Sequence, residues 1–231
     1  MDYKHTDIVD FHSHILPGAD HGSSSVDTSL VQLKLACAHG VSRIIATPHF
    51  YPHRHTLERF TERRDSCAKE LFAAMSADAP RVKLGAEVLL CEGLENLEGI
   101  EKLCISGTNT LLVELPFSDF RESYCDTVHK LIRRGFEVVL AHVDRYPTSN
   151  IVKMIDAGVE KLQVNADALT KFFKDKQLLR WAQEGLVAAI GSDIHGEDAK
   201  AYKNFDKAKS VLGETLLSVK NISDEIWNNT K

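Results

Sequence analysis

The sequence has little that would take it out of water. No apolar run approaches the length needed to span a bilayer, and the opening Met1-Asp2-Tyr3-Lys4-His5 lacks the basic-then-apolar pattern of a secretory signal. A soluble cytoplasmic protein with no membrane insertion is therefore expected. Basic excess is missing too. The formal net charge is -5 over 231 residues, with no run of like charges, which argues against a nucleic-acid surface. The cysteines are few and scattered. Cys37, Cys67, Cys91, Cys104 and Cys125 contain no C-x-x-C pair, so disulfides and thiolate zinc sites are not expected, and the five are read as free thiols in packing roles. No Gly-, Ser- or Pro-rich linker and no low-complexity tract divides the chain, so a single domain over residues 1–231 is expected.

What is present is a rhythm. Short apolar runs alternate with amphipathic stretches. Asp7 to His12 reads as a first strand, followed by Val26, Leu30, Leu33 and Cys37 at helical spacing. Ser42 to Thr47 reads as a second strand ended by Pro48, and a polar helix follows from Leu57 to Ser76 with Thr56 as its cap. Strands are expected at Val82–Val88, Thr110–Leu115, Glu137–Ala141, Leu162–Val164 and Val187–Ile190. Helices are expected at Ser123–Arg134, Ser149–Ala157 and Lys176–Glu184, with a charged one from near Glu197. Strand–helix alternation implies a parallel sheet. Seven strands in one α/β domain of this size suggest a distorted barrel, with an open doubly wound sheet as the alternative.

The polar residues fall at one place in that rhythm. His12 and His14 lie at the end of the first strand and Asp20 in the loop after it; His49 ends the second, Glu87 the third, Glu114 the fourth and His142 the fifth, while Asp193 and His195 follow the seventh. In a parallel barrel the C-terminal strand ends form one face, where active sites are built. Imidazole and carboxylate suit divalent transition metals, and the absence of thiolate disfavours a structural zinc site. Carboxylates sharing one buried face without cations repel one another, and bound divalent ions remove that problem. Singly, a histidine is usually a surface or satisfied core residue, Asp20 fits a turn role, and Asp193 fits a helix cap. The coincidence of all nine at one end of many strands outweighs those readings.

The motifs in order carry a resemblance. Asp10-Phe11-His12-Ser13-His14-Ile15-Leu16-Pro17-Gly18-Ala19-Asp20-His21-Gly22, then Ala46-Thr47-Pro48-His49, Gly85-Ala86-Glu87, Leu112-Val113-Glu114, Ala141-His142-Val143-Asp144-Arg145-Tyr146 and Gly191-Ser192-Asp193-Ile194-His195 resemble the protein-tyrosine phosphatases of bacterial capsule and exopolysaccharide clusters. These belong to the polymerase-and-histidinol-phosphatase (PHP) superfamily. The resemblance runs from about residue 7 to about residue 212. It implies a distorted seven-stranded TIM-like β/α barrel holding three divalent ions, with manganese the metal associated with this branch and iron or zinc admissible on ligand type. Carried over by position, His12, His14, Glu87 and Asp193 would hold one ion. Glu87, Glu114 and His142 would hold a second, with Glu87 bridging, and Asp20, His49 and His195 a third. The partner it implies is a phosphotyrosine protein, a tyrosine autokinase of polysaccharide assembly.

Three positions depart from the family pattern. His21 stands where a second acidic residue is usual, Val143-Asp144 replaces Pro-Glu, and Lys200 replaces a phosphate-binding arginine. A lysine cannot make the bidentate fork of an arginine. The expected chemistry is phosphomonoester hydrolysis with metal-activated water. Arg145 is the expected phosphate clamp, Lys200 a second phosphate contact, and Asp144 or His21 the proton donor. The loop Phe50-Tyr51-Pro52-His53-Arg54-His55 leaves the same rim and is placed to meet an aromatic substrate or simply to pack. Two other functions use the same residue types. A small-molecule phosphatase of the histidinol-phosphatase type is disfavoured by the Leu16-Pro17-Gly18 turn, and a non-catalytic metal-binding module by the complete ligand set.

Overall fold

The structure is a computed structural model that describes residues 6–117, 120–170 and 176–229. The opening pentapeptide, read above for a secretory signal, lies outside them. Chain order is β1 (Asp10–Ser13), α1 (Val26–Ala38), β2 (Arg43–Ala46), β3 (His49–Phe50), α2 (Leu57–Ala74), β4 (Arg81–Leu84), β5 (Glu87–Leu89) and β6 (Thr110–Glu114). There follow α3 (Ser123–Arg133), β7 (Glu137–Leu140), α4 (Thr148–Asp156), β8 (Lys161–Asn165), α5 (Lys176–Gln183), β9 (Val187–Gly191), α6 (Ala199–Leu212) and α7 (Thr215–Asn228). Side-chain caps start the helices where polar residues precede apolar spacing. Ser25 accepts the Thr28 N–H at α1, Thr56 the Arg59 N–H at α2, and Asp198 the Lys200 N–H at α6.

The nine strands form one curled, all-parallel sheet in the order β3-β5-β6-β7-β8-β9-β1-β2-β4. The open doubly wound alternative is not what forms. The count differs from seven because a further short strand, β3, forms beyond the Pro48 at which the second expected strand ends, and the third expected strand is interrupted at Gly85-Ala86. Pro48 has no N–H to give a ladder. Pairing nevertheless runs through both gaps in one register. Arg43 faces Arg81 and His49 faces Glu87 at the same separation along the chain, and the Gly85 and Glu87 N–H groups donate to the Ala46 and Pro48 carbonyls at 2.9 and 3.1 Å.

Apolar residues pack on both faces of the sheet. The larger core lies between sheet and helices and includes Ile44, Leu111, Val138, Leu162 and Ile190. A separate inner column contains Val9, Phe11, Ile45, Leu112, Val139, Ala141 and Ala189, and is closed by Ile226 and Trp227 of α7. Burying a side chain such as Ile226 stabilises by about 1.5–3 kcal/mol. Trp227 lies within 6.0 Å of the Arg43 guanidinium, and the Arg81 and Lys83 cations also pack over its ring. Arg43 and Arg81 open β2 and β4, so α7 covers the N-terminal end of the sheet. The sequence reading did not extend to this helix. The polar residues of the site occupy the opposite end.

Candidate metal centre

Period-2 alternation along β1 sends Val9 and Phe11 to the inner column, and unbroken alternation would send His12 and His14 to the other face. The pairing of β1 with β2 shifts register between Asp10 and Ser13. Such an irregularity re-aims side chains next to a site, and both imidazoles turn to the inner mouth. There His12 Nε2 lies 3.1 Å from His14 Nε2 and 3.2 Å from Glu87 Oε2. His14 Nε2 lies 3.4 Å from Glu87 Oε2 and 3.3 Å from Asp193 Oδ1. On the other side of Glu87, His142 Nε2 is 2.6 Å from Oε1 and His49 Nδ1 is 2.8 Å from Oε2. Glu114 approaches His49 at 3.7 Å and His142 at 3.8 Å. Glu87 thus sits between two groups of nitrogens. His49 and Glu87 are the first residues of β3 and β5 rather than strand ends, because the interruptions precede them.

Three sets of ligand atoms lie close enough together to hold an ion: His12, His14 and Glu87; His49, Glu87 and Glu114; and His14, His49 and His195. Asp20 joins none of them. Its carboxylate accepts from His14 Nδ1 at 2.7 Å and from the backbone N–H groups of Gly22 and His49 at 2.8 and 3.1 Å. His21 is exposed, with its ring stacked on His49 at 4.9 Å between centroids and against His195 at 4.6 Å. Arg145 pairs with Asp193. Asp144 Oδ1 accepts the Asn165 N–H at 2.9 Å. Lys200 is exposed in the first turn of α6.

Hydrogen bonds fix which imidazole nitrogen faces the centre. The Gln163 side-chain carbonyl can only accept, so its 3.0 Å bond makes His12 Nδ1 the protonated nitrogen and leaves the Nε2 lone pair for the site. His195 Nδ1 donates likewise to the Asp193 carbonyl at 3.0 Å. Gln163 Oε1 also accepts the His142 backbone N–H at 2.7 Å, and its amide donates to Asn165, which donates to Asp193 Oδ2 at 2.9 Å. Asp10 accepts from Ser192 Oγ at 2.6 Å and from the Tyr202 hydroxyl at 2.8 Å, tying β1 to the segment that carries Asp193. None of Gln163, Asn165, Asp10, Ser192 and Tyr202 was singled out from sequence. The available signal was Gln163-Val164-Asn165, two amides alternating with the apolar Leu162 and Val164 of β8.

Several features have a cost that a ligand explains. Among the described residues only His142 (φ 31°) and Asp193 (φ 49°) carry a side chain other than glycine at positive φ. Such strain costs about 1–3 kcal/mol per residue and clusters at functional sites. Two glycines admit the approach of the rings. A Cβ on Gly22 would lie 2.0 Å from His14 Cβ, and one on Gly191 would lie 2.6 Å from both His12 Cβ and the Gln163 amide nitrogen. Burial lowers His49, but the close carboxylates of Glu114 and Glu87 outweigh it and raise the imidazole to about 9. Burial opposes charge on His14 as well, yet Asp193, Asp20 and Glu87 hold it well above its ordinary value. Glu87 and Asp193 are buried, which favours the neutral acid, but the neighbouring imidazoles bring both well below the carboxylate range. His195 is lowered to about 4 by burial and by His14.

The donor set fits divalent metal. Among the described residues eight buried side-chain atoms lack a hydrogen-bond partner, and five of them gather here: His49 Nδ1, Glu87 Oε2, Glu114 Oε1, His142 Nδ1 and His195 Nε2. Unpaired buried polar atoms are costly and rare, and four of these five belong to the three sets above. His49 Nδ1 and Glu87 Oε2 are close without hydrogen-bond alignment, as atoms aimed at a common third point are. The sequence model of the family described as "Capsular polysaccharide synthesis, CpsB/CapC" matches residues 8–226.

This chain belongs to that family.

Its relatives include the tyrosine-protein phosphatase YwqE of Bacillus subtilis (strain 168), 27% identical over 201 residues that make up 81% of this chain and 77% of the relative. The tyrosine-protein phosphatase CpsB of Streptococcus pneumoniae is 26% identical over 213 residues, 84% of this chain and 85% of the relative. The fold matches a solved structure from work on YwqE and CpsB, which it describes as metal-dependent tyrosine phosphatases. The TM-score is 0.78 at 21% identity, covering 97% of this chain and 96% of that one. Among the described residues of this family member no helix is long and apolar enough to cross a membrane.

Proposed function

We propose that this chain is a metal-dependent phosphomonoester hydrolase that removes phosphate from tyrosine in a protein of capsule or exopolysaccharide assembly. Its physiological partner would be a tyrosine autokinase in the cytoplasm. The observation that carries the proposal is the clustering of buried His12, His14, Glu87, Glu114 and His142 with half-buried His49, Asp193 and His195, several with orphaned atoms, in a family whose relatives are named tyrosine-protein phosphatases. Three divalent ions, manganese first, are assigned to it. Asp20 serves as a ligand of the third ion or, as its bond to His14 supports, as the group that orients a ligand. A seven-stranded barrel is supported by the unbroken register, which lets β2 with β3 and β4 with β5 each count as one strand.

When bound, the ions supply Lewis-acid polarisation of phosphoryl oxygens and a water acidic enough to attack near neutral pH. The chain supplies the rest. His12 and His195 present Nε2 because their Nδ1 protons are held by Gln163 and by the Asp193 carbonyl. Arg145 stands at the rim on Asp193 with further guanidinium N–H groups available for phosphate, a bidentate match. Lys200 is assigned a second, single-point phosphate contact. A tyrosine phenolate leaves with little need of a proton, and Asp144, anchored by the Asn165 N–H, is assigned to supply one.

The test is turnover of a phosphotyrosine peptide and of histidinol phosphate by the purified protein, with metal content measured on the same sample. Turnover of the peptide that is lost with chelator is expected. Bound metal without turnover of either ester would refute the proposal.

A further inference from the structure

A cavity of about 370 Å³ opens beside the metal centre, lined by Tyr51, Arg54, Leu89, Glu114, Pro116 and Phe117. Glu114 belongs to both the cavity and the cluster. Two aromatic walls flank it, each set against a proposed ligand. The Tyr51 ring stacks on His49 with centroids 5.2 Å apart and planes 19° apart, and the Phe117 ring stacks on His142 at 6.3 Å and 14°. We propose that this cavity seats the phenyl ring of a phosphotyrosine ester, with Tyr51 and Phe117 as the residues that make the site prefer aryl to alkyl phosphates. The inference rests on the phosphatase reading above.

The walls are built to hold their places. The Tyr51 carbonyl accepts the N–H groups of Arg54 and His55, both at 2.9 Å, and its own N–H donates to His55 Nδ1 at 3.2 Å. The Arg54 guanidinium packs over the Tyr51 ring at 5.6 Å. On the other side, the Tyr146 hydroxyl accepts the Leu115 N–H at 3.1 Å and donates to the Leu115 carbonyl at 3.0 Å. That clamps the chain one residue before Pro116, whose ring fixes φ, and so sets the start of Phe117. Yet the Phe117 side chain itself is 71% exposed. Phe117 thus offers an uncovered ring at the edge of the cavity, beside the ring of His142. An ester whose phosphate rests on the cluster projects its leaving group past Glu114 into this space. A tyrosine ester puts a flat ring there, and an alkyl ester leaves both walls unpaired.

The experiment is calorimetric binding of phenylphosphonate and of methylphosphonate to the metal-loaded whole chain. Phenylphosphonate is expected to bind about tenfold tighter. Each aromatic pair contributes about two- to tenfold, so Phe117→Ala and Tyr51→Leu should each remove about that much of the preference and leave methylphosphonate affinity unchanged. Phe117→Tyr should keep the preference. Equal affinity of the wild type for both phosphonates, or an unchanged ratio in Phe117→Ala, would overturn the aryl subsite while leaving the phosphatase reading intact. Binding of neither would overturn that reading and this inference with it.

Discussion

Gln163 is where the structure makes its most exposed commitment. Its side-chain carbonyl accepts two buried donors, His12 Nδ1 at 3.0 Å and the His142 N–H at 2.7 Å. Gln163→Leu keeps the approximate volume and removes the one acceptor that serves both donors. Each buried N–H left unpaired costs about 1–3 kcal/mol, so with two orphaned and about 2–4 °C per kcal/mol for a domain of this size the metal-free protein should melt roughly 4–24 °C lower. The larger effect should be on metal. His12 loses the bond that selects its tautomer, and loss of such an orienting partner costs about 10–100-fold in metal affinity. Gln163→Glu retains the acceptor and should bind metal more tightly than the leucine variant. Thermal melts of metal-free protein and competition with a chromophoric chelator measure the two quantities separately. If Gln163→Leu melts lower but binds metal as the wild type does, the tautomer argument is wrong and Gln163 supports only the fold.

Other outcomes follow from the same geometry. Glu87→Gln, altering the carboxylate between the two nitrogen groups, should reduce activity and metal content more than Asp20→Asn, and equal metal content in both variants would refute the bridging role. Arg145→Ala should lower kcat/KM for an aryl phosphate by about ten- to a hundredfold with metal content unchanged, since charge-assisted bonds contribute about 1.5–3 kcal/mol each; Lys200→Ala should do less, and wild-type kinetics for Arg145→Ala would show the clamp to be misassigned. In the metal-free protein His49 is raised from 6.5 to about 9, so its contribution to stability is full below pH 6.5 and is lost as pH rises through 9. A metal must displace that proton, so apparent affinity should climb with pH and level off above about 9, and calorimetry in buffers of different ionisation enthalpy should show proton release near pH 7. Gly22→Ala, whose Cβ would meet His14, should disturb metal binding, and tight metal binding by this variant would show that the turn relaxes.

Where a ligand stands at the C-terminal side of a strand, sequence was enough to bring it to the rim, because strand–helix alternation dictates a parallel sheet and a parallel sheet gathers those ends. Glu114, which ends β6, and His142, which follows β7, are such cases. What alternation cannot show is where it is broken. The register shift in β1 turns His12 and His14 inward, and no residue there spells it. The interruption at Pro48 was legible as a stop but not as a strand resuming in register at His49. Gln163 and Asn165 were passed over because amides are not ligands in themselves, and their role comes from what they face across the sheet. Asp20 is marked by its position as a candidate ligand, and its carboxylate also accepts from His14 and two backbone N–H groups, contacts that the sequence does not spell.

The inner column has the centre at one mouth and Trp227 at the other, and this separates two kinds of change. A loop at the rim can be lengthened, or His21 exchanged for an acid, without touching the apolar contacts that hold the strands together. A change under α7 alters how firmly the whole is held without moving a ligand. A lineage can therefore explore new leaving groups at one end while the safety margin of the fold is adjusted at the other. Mutational scans of the two ends should look like scans of two different proteins, one sensitive in catalysis and one in abundance.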